Sequence, residues 1–127
     1  AATQASASVL SQRQRAVHAR IAGYREEMAA LEEQTRLISE ELAGLRELEA
    51  EGFASTSRVR AVERTQAELS GRRAEIAALV AQSRESASET SLQSISVRRD
   101  RASQIAEELR LTDQRLSELL HCRHGHA

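Results

Sequence analysis

The 127-residue chain has no proline, no tryptophan and no lysine, and only one cysteine, one tyrosine and one phenylalanine. Each shortage removes a class of structure. Without proline, no residue obliges a helix to stop. Aromatics are 2% of the chain, and Leu, Ile, Val and Phe together are about a fifth of it, near the level at which compact cores become hard to build. Much of the 40% hydrophobic fraction is alanine, which favours helix but buries little apolar surface. A globular α/β enzyme fits this composition poorly, and an elongated helical assembly fits it well. The lone Cys122 excludes an intrachain disulfide. The longest apolar run, residues 76–81, falls far short of the ~20 residues that span a bilayer. No charged-then-apolar leader is present, so a targeting signal or membrane anchor is expected only outside this segment. Eighteen basic residues, all arginine, balance nineteen acidic ones to a net charge of −1, which gives no support to a nucleic-acid or anionic-membrane surface. The use of arginine alone reads as coding bias, since an exposed helix face accepts either cation.

What is present is a mirror-symmetric apolar pattern centred on Glu51-Gly52-Phe53-Ala54-Ser55. Before it, Leu10, Val17, Tyr24, Leu31, Ile38 and Leu45 recur every seven residues; after it, Val62, Leu69, Ile76, Ser83, Thr90 and Val97 do the same. Taken outward from the centre, Leu45 pairs with Val62, Ile38 with Leu69, Leu31 with Ile76, Tyr24 with Ser83, Val17 with Thr90 and Leu10 with Val97. The numbers of each pair add to 107. A chain folded back on itself as two antiparallel helices needs this symmetry, because its seam must present apolar residues at matching heights. Ile21, Met28 and Leu42 supply the second seam position, interrupted by Gln14, Thr35 and Glu49. Around the seam run helix-supporting charge pairs such as Glu32 with Arg36 and Glu68 with Arg72.

The pattern predicts an all-α fold: a long antiparallel coiled-coil hairpin with a third C-terminal helical segment. Residues 1–8 lack large apolar groups and are expected to fray. The first helix is expected over about 9–51, the turn at 52–55 and the second helix over about 56–97. Gly52 suits the left-handed residue that closes a helix, and Ser55, or less well Thr56, suits the cap of the next one. Six serines dilute the seam between Gln82 and Ser96, although Tyr24 opposite Ser83 matches a large residue to a small one. Past Val97 the seam changes phase: Ala102, Ile105, Leu109, Thr112, Leu116 and Leu119 follow steps of three and four, but the step from Val97 to Ala102 is five. By the mirror arithmetic this segment, about 100–120, has no partner in the hairpin, so it folds back, pairs with another copy or leans on a part of a longer protein. Residues 1–120 are read as one helical hairpin domain and 121–127 as a disordered tail. At ~1.5 Å per residue the hairpin would be about 60 Å long, a rod suited to reaching and bridging.

Chemical sites are scarce. His121, Cys122, His124 and His126 are the only cluster of metal-ligand types, with no second cluster to complete a site, so no metal and no cofactor is expected. His18 reads as a solvated histidine beside the seam. The carboxylates are spread as helix-face charges without an apolar pocket to shift them, and no nucleophile motif or phosphate-binding glycine loop occurs, so the chain does not read as an enzyme. Arg58, Arg60 and Arg64, like Arg98, Arg99 and Arg101, are interleaved with acids and lack stacking aromatics, which favours solvated faces over nucleic-acid contact. Arg58 and Arg60 nevertheless lie where a protein approaching the turn end-on would meet them.

The residues of the turn carry a resemblance. Residues 41–64, through Glu51-Gly52-Phe53-Ala54-Ser55 to Arg58-Val59, resemble the hairpin of periplasmic adaptor proteins, the membrane fusion proteins of the haemolysin-secretion (HlyD-like) family of type I secretion systems. Its approximate pattern is L-x-x-L-x-x-K-G-[FLY]-[VAI]-S-x-x-R-[LV]-x-x-L-E-R, followed by A-E-L-x-G. Gly52, Phe53, Ser55, Arg58, Val59, Glu63, Arg64, Ala67-Glu68-Leu69 and Gly71 match it, and Glu51 stands where lysine is common. The likeness covers residues 30–80. It implies the hairpin segment of an adaptor that joins an inner-membrane ABC transporter, through the parent protein, to an outer-membrane channel protein. It also implies periplasmic location and copies standing side by side in a ring. The tip residues Leu48, Gly52, Phe53, Ser55, Arg58 and Val59 would then dock the channel. Of a related tip motif, R-x-x-x-L-x-x-x-x-x-x-S, Leu48 and Ser55 are kept, while Gly44 holds the arginine position. The stretch that usually announces the family's flanking lipoyl-like β-domain is missing, so the resemblance implies the isolated hairpin. The alternatives are a generic coiled-coil scaffold or oligomerisation module using the Ile105–Leu119 seam, and a metal-responsive helical protein using the His/Cys tail.

Overall fold

The computed structural model describes residues 2–125, with side chains described from residue 4 onward. It consists of two helices, α1 (Ala2–Ala50) and α2 (Thr56–Gly125), and no strand occurs among the described residues. The length of both follows from composition: no proline interrupts them, and alanine, leucine, glutamate and arginine supply propensity throughout. Ion pairs one turn apart, Arg36 with Glu33 and Glu40 and Arg110 with Glu107, line exposed faces, where solvent leaves them little weight.

Packing divides the chain into two units, one of Arg15–Ala87 and one that takes in residues up to Gln14 and from Ser88 on. In the first, α1 and α2 run antiparallel: Arg46 meets Glu63 at 3.7 Å, Gln66 Nε2 donates to Ser39 Oγ at 3.4 Å, and Arg72 reaches Glu27. The numbers rise on one helix as they fall on the other, as the mirror requires. Its buried apolar residues are Val17, Ile21, Leu31, Leu42, Leu45, Val59 and Ile76, with Tyr24, Met28, Ile38, Val62 and Leu69 half-buried. Ile76 is wholly covered. Ser83 is buried and Tyr24 only half-buried, in keeping with a small residue set opposite a large one. In the second unit Leu10 and Thr90 are buried, and Ser94 and Val97 half-buried.

The expected interruptions of the seam, Gln14, Thr35 and Glu49, are also half-buried. Thr35 Oγ1 donates to the Leu31 carbonyl at 2.7 Å, whereas Gln14 Oε1 and Glu49 Oε2 are shielded with no hydrogen-bond partner. Such orphaned acceptors cost stability.

Three expectations are corrected at the ends. α1 begins at Ala2, so the alanine-rich leader is helical where fraying was expected. No third helix forms among the described residues, because α2 passes through residues 97–102 without a break. The change of seam phase there moves the apolar face around the helix but introduces no residue that stops it. α2 also carries through His121, Cys122, Arg123 and His124, where a disordered tail was expected; His126 lies outside the described residues.

Candidate functional site: the hairpin tip

The turn is built by a helix ending and a helix beginning within a few residues. Gly52 takes φ +84°, a left-handed conformation that side-chain-bearing residues rarely adopt. This lets the Phe53 N–H donate to the Leu48 carbonyl at 2.8 Å and the Gly52 N–H to the Glu49 carbonyl at 3.0 Å. That pair of bonds is the Schellman closure of a helix C-terminus. On the other side Ser55 Oγ accepts from the Arg58 N–H at 3.2 Å, the N-cap bond expected of it, and the Ser55 carbonyl accepts from the Val59 N–H at 3.2 Å. Beneath the turn, Leu42, Leu45 and Val59 form a buried cluster, with Ala54 and Val62 packed against it.

The two caps and the cluster fix the backbone, and the backbone fixes what faces solvent. Phe53 is 77% exposed and Leu48 42%, with Gly52, Ser55 and Arg58 exposed beside them. A large aromatic turned outward on a short, doubly capped turn costs solvation that folding does not recover. Beside it on α2 an open hollow is lined by Thr56, Ser57, Arg60, Glu63, Arg64 and Ala67. The hollow presents two guanidinium groups, one carboxylate and two hydroxyls. It offers polar contacts next to the apolar knob of Phe53 and Leu48, a combination suited to protein docking.

The match to known proteins agrees with this geometry. A family model described as AprE, long alpha-helical hairpin, matches residues 1–123. The chain belongs to that family. The chain is also 36% identical over 98 residues to the type I secretion system membrane fusion protein PrsE of Rhizobium meliloti (strain 1021). The match covers 77% of the chain and 22% of PrsE, so the chain corresponds to about a fifth of the relative's length. No solved structure matches. The resemblance of the turn to HlyD-like adaptors is thus matched by the family as a whole: this is the long helical hairpin region of an HlyD-like membrane fusion protein.

Against the family hairpin, the residues singled out from sequence divide. Leu48, Gly52, Phe53, Ser55 and Arg58 are at the surface of the turn. Val59 is only 3% exposed and belongs to the cluster below it, so it supports the tip and presents nothing to a partner. Of the hollow's hydroxyls, Thr56 is expected from sequence only as a second choice of helix cap and Ser57 not at all; their signal is only their position directly after Ser55. His121, Cys122 and His124 are exposed along the end of α2, and no group of three or more His, Cys, Asp or Glu among the described residues is placed to hold a metal ion. No helix among the described residues is long and apolar enough to cross a membrane.

Proposed function

We propose that this hairpin is the reaching element of a type I secretion adaptor in the periplasm, docking through its tip onto the helical end of an outer-membrane channel. The parent protein engages the inner-membrane ABC transporter and is anchored in the inner membrane outside this segment. Several parent copies stand side by side in a ring. The observation that carries the reading is Phe53, the chain's one phenylalanine, held outward at 77% exposure by a capped turn. Leu48, Ser55 and Arg58 frame it, and Arg60 and Arg64 in the adjacent hollow add charge at the rim. A turn that served only to reverse the chain would not need an exposed aromatic. The relationship to PrsE, itself a type I secretion membrane fusion protein, supports the same reading.

The test replaces Phe53→Ala together with Ser55→Ala in the full-length parent protein. Secretion of the system's substrate is expected to be lost while the helical circular dichroism of the isolated hairpin is nearly unchanged. Normal secretion with the hairpin folded would sink the tip assignment. The alternative, an oligomerisation module, rests on a different feature: the exposed apolar stripe toward the C-terminal end of α2.

A further inference from the structure

Within the unit of Arg15–Ala87, each helix turns one face away from the seam near the turn. On α1, Glu40 lies two residues from both Ile38 and Leu42, and Glu47 two residues from both Leu45 and Glu49, so both point away from α2. Gly44 stands between them on the same face, and Leu37, 51% exposed, continues it. On α2, Arg64 lies likewise between half-buried Val62 and Gln66, with Arg60 one turn before it and Gly71 two turns after. The two faces differ in charge. Glu47 has no ion pair in the chain among the described residues, and Glu40 gives one oxygen to Arg36 and keeps the other. In the hollow on α2, Arg46 reaches Glu63 at 3.7 Å, which leaves Arg60 and Arg64 unpaired among the described residues. Gly44 and Gly71 add a steric mark. Glycine inside a helix costs stability relative to alanine. The chain itself requires neither: a Cβ at either position meets no atom within 4 Å, and neither shares the positive φ of Gly52. What they spare is room for something outside the chain.

We propose that a second copy of this chain, standing beside the first with its turn at the same height, sets the outer face of its α2 against the outer face of α1. The inference rests on the side-by-side arrangement given above and names the surface that makes it. In copies so placed, residues of α1 and α2 whose numbers add to 107 lie level, as they do within the hairpin. Glu47 is then level with Arg60 of the second copy, and Glu40 lies within about 4.5 Å in height of its Arg64. Gly44, between the two carboxylates, gives the arginine stems room to cross. Leu37 lies within about 1.5 Å in height of Gly71 of the second copy, a large residue set against a missing side chain. With one copy turned end for end, no single register keeps both the charge pairs and Leu37 on Gly71. The contact uses different faces of the two copies, so it repeats from copy to copy and closes into a ring where the rotation allows. Phe53, Ser55 and Arg58 take no part in it and stay free for the channel.

The test places Leu37→Cys and Gly71→Cys together in the full-length parent protein, with Cys122→Ser. The two positions lie on opposite outer faces of one hairpin, so no disulfide joins them within a copy. Mild oxidation in membranes is expected to give a ladder of products beyond the dimer, and neither substitution alone to give one. Glu47→Arg or Arg60→Glu, added singly, is expected to reduce the ladder several-fold, and the two together to restore it. Gly44→Leu is expected to reduce it as well without lowering the thermal midpoint of the 127-residue hairpin, since leucine is the better helix former and meets open space. Native electrophoresis of the uncrosslinked parent protein separates this contact from the ring itself. An oligomer without the ladder, a ladder that stops at the dimer, or a charge exchange that fails to rescue would each overturn the contact and leave the side-by-side arrangement standing. A monomeric parent protein would overturn both.

Discussion

At Gly52 the fold depends on a single backbone angle. Its φ of +84° permits the two closing bonds to the Leu48 and Glu49 carbonyls, and a Cβ there meets no atom within 4 Å. The cost of a side chain is therefore conformational and not steric, about 1–2 kcal/mol for Gly52→Ala. Ser55→Ala removes the cap on the Arg58 N–H and is expected to cost about 1 kcal/mol. Urea unfolding of the two variants checks both figures; equal midpoints for wild type and Gly52→Ala would mean that the turn has another way to close. Phe53 is the reverse case. It is so exposed that Phe53→Ala should change stability by no more than about 0.5 kcal/mol, so its presence asks for a partner. These roles were legible beforehand because glycine and serine at a break in a heptad pattern each have one physical use. Val59 was not, because a residue just past a turn is equally placed to face out or in, and only packing against Leu42 and Leu45 decides.

A helix here is held by its seam far more than by its ion pairs. Ile76, fully covered, is expected to lose about 2–5 kcal/mol on Ile76→Ala. Glu49 makes the opposite prediction. Its shielded Oε2 has no partner, so Glu49→Leu should raise the urea midpoint by an amount worth about 1 kcal/mol. A lowered midpoint would show that the carboxylate is satisfied in solution. Hydrogen bonds from Arg36 and Arg110 hold the Glu33 and Glu107 carboxyls below their ordinary value. Their contribution is present above the unfolded-state value and fades as pH falls through the lowered one. It is small, because both pairs are exposed. The mirror in the heptads was readable from residue 10 to residue 97 because a seven-residue repeat records which face is covered. The same record could not show that α2 continues past Val97. A shift of seam phase marks a change of face, and only proline, glycine or a cap marks an end; no proline or glycine stands between Gly71 and Gly125, and the helix absorbs the cap-type residues there, its serines with Thr90, Asp100, Thr112 and Asp113.

Across the whole molecule, scarce aromatics, abundant alanine and balanced charge distribute apolar surface along the helices in place of concentrating it in one core. Beside single exposed residues such as Val9, Leu37 and Leu92, two groups of exposed apolar side chains stand out: Phe53 with Leu48 at the turn, and the stripe from Ile105 to Leu119. Neither is explained by the chain's own packing. The tip is assigned to a contact outside it, which connects the hairpin to secretion. The most direct test is recovery of the outer-membrane channel with the full-length parent protein after cross-linking in cells, comparing wild type with Phe53→Asp and with Leu92→Asp, an exposed apolar residue far along α2 from the turn. The account predicts at least a tenfold loss of channel with Phe53→Asp, wild-type recovery with Leu92→Asp, and equal amounts of folded adaptor in all three. Undiminished channel recovery with Phe53→Asp would contradict it.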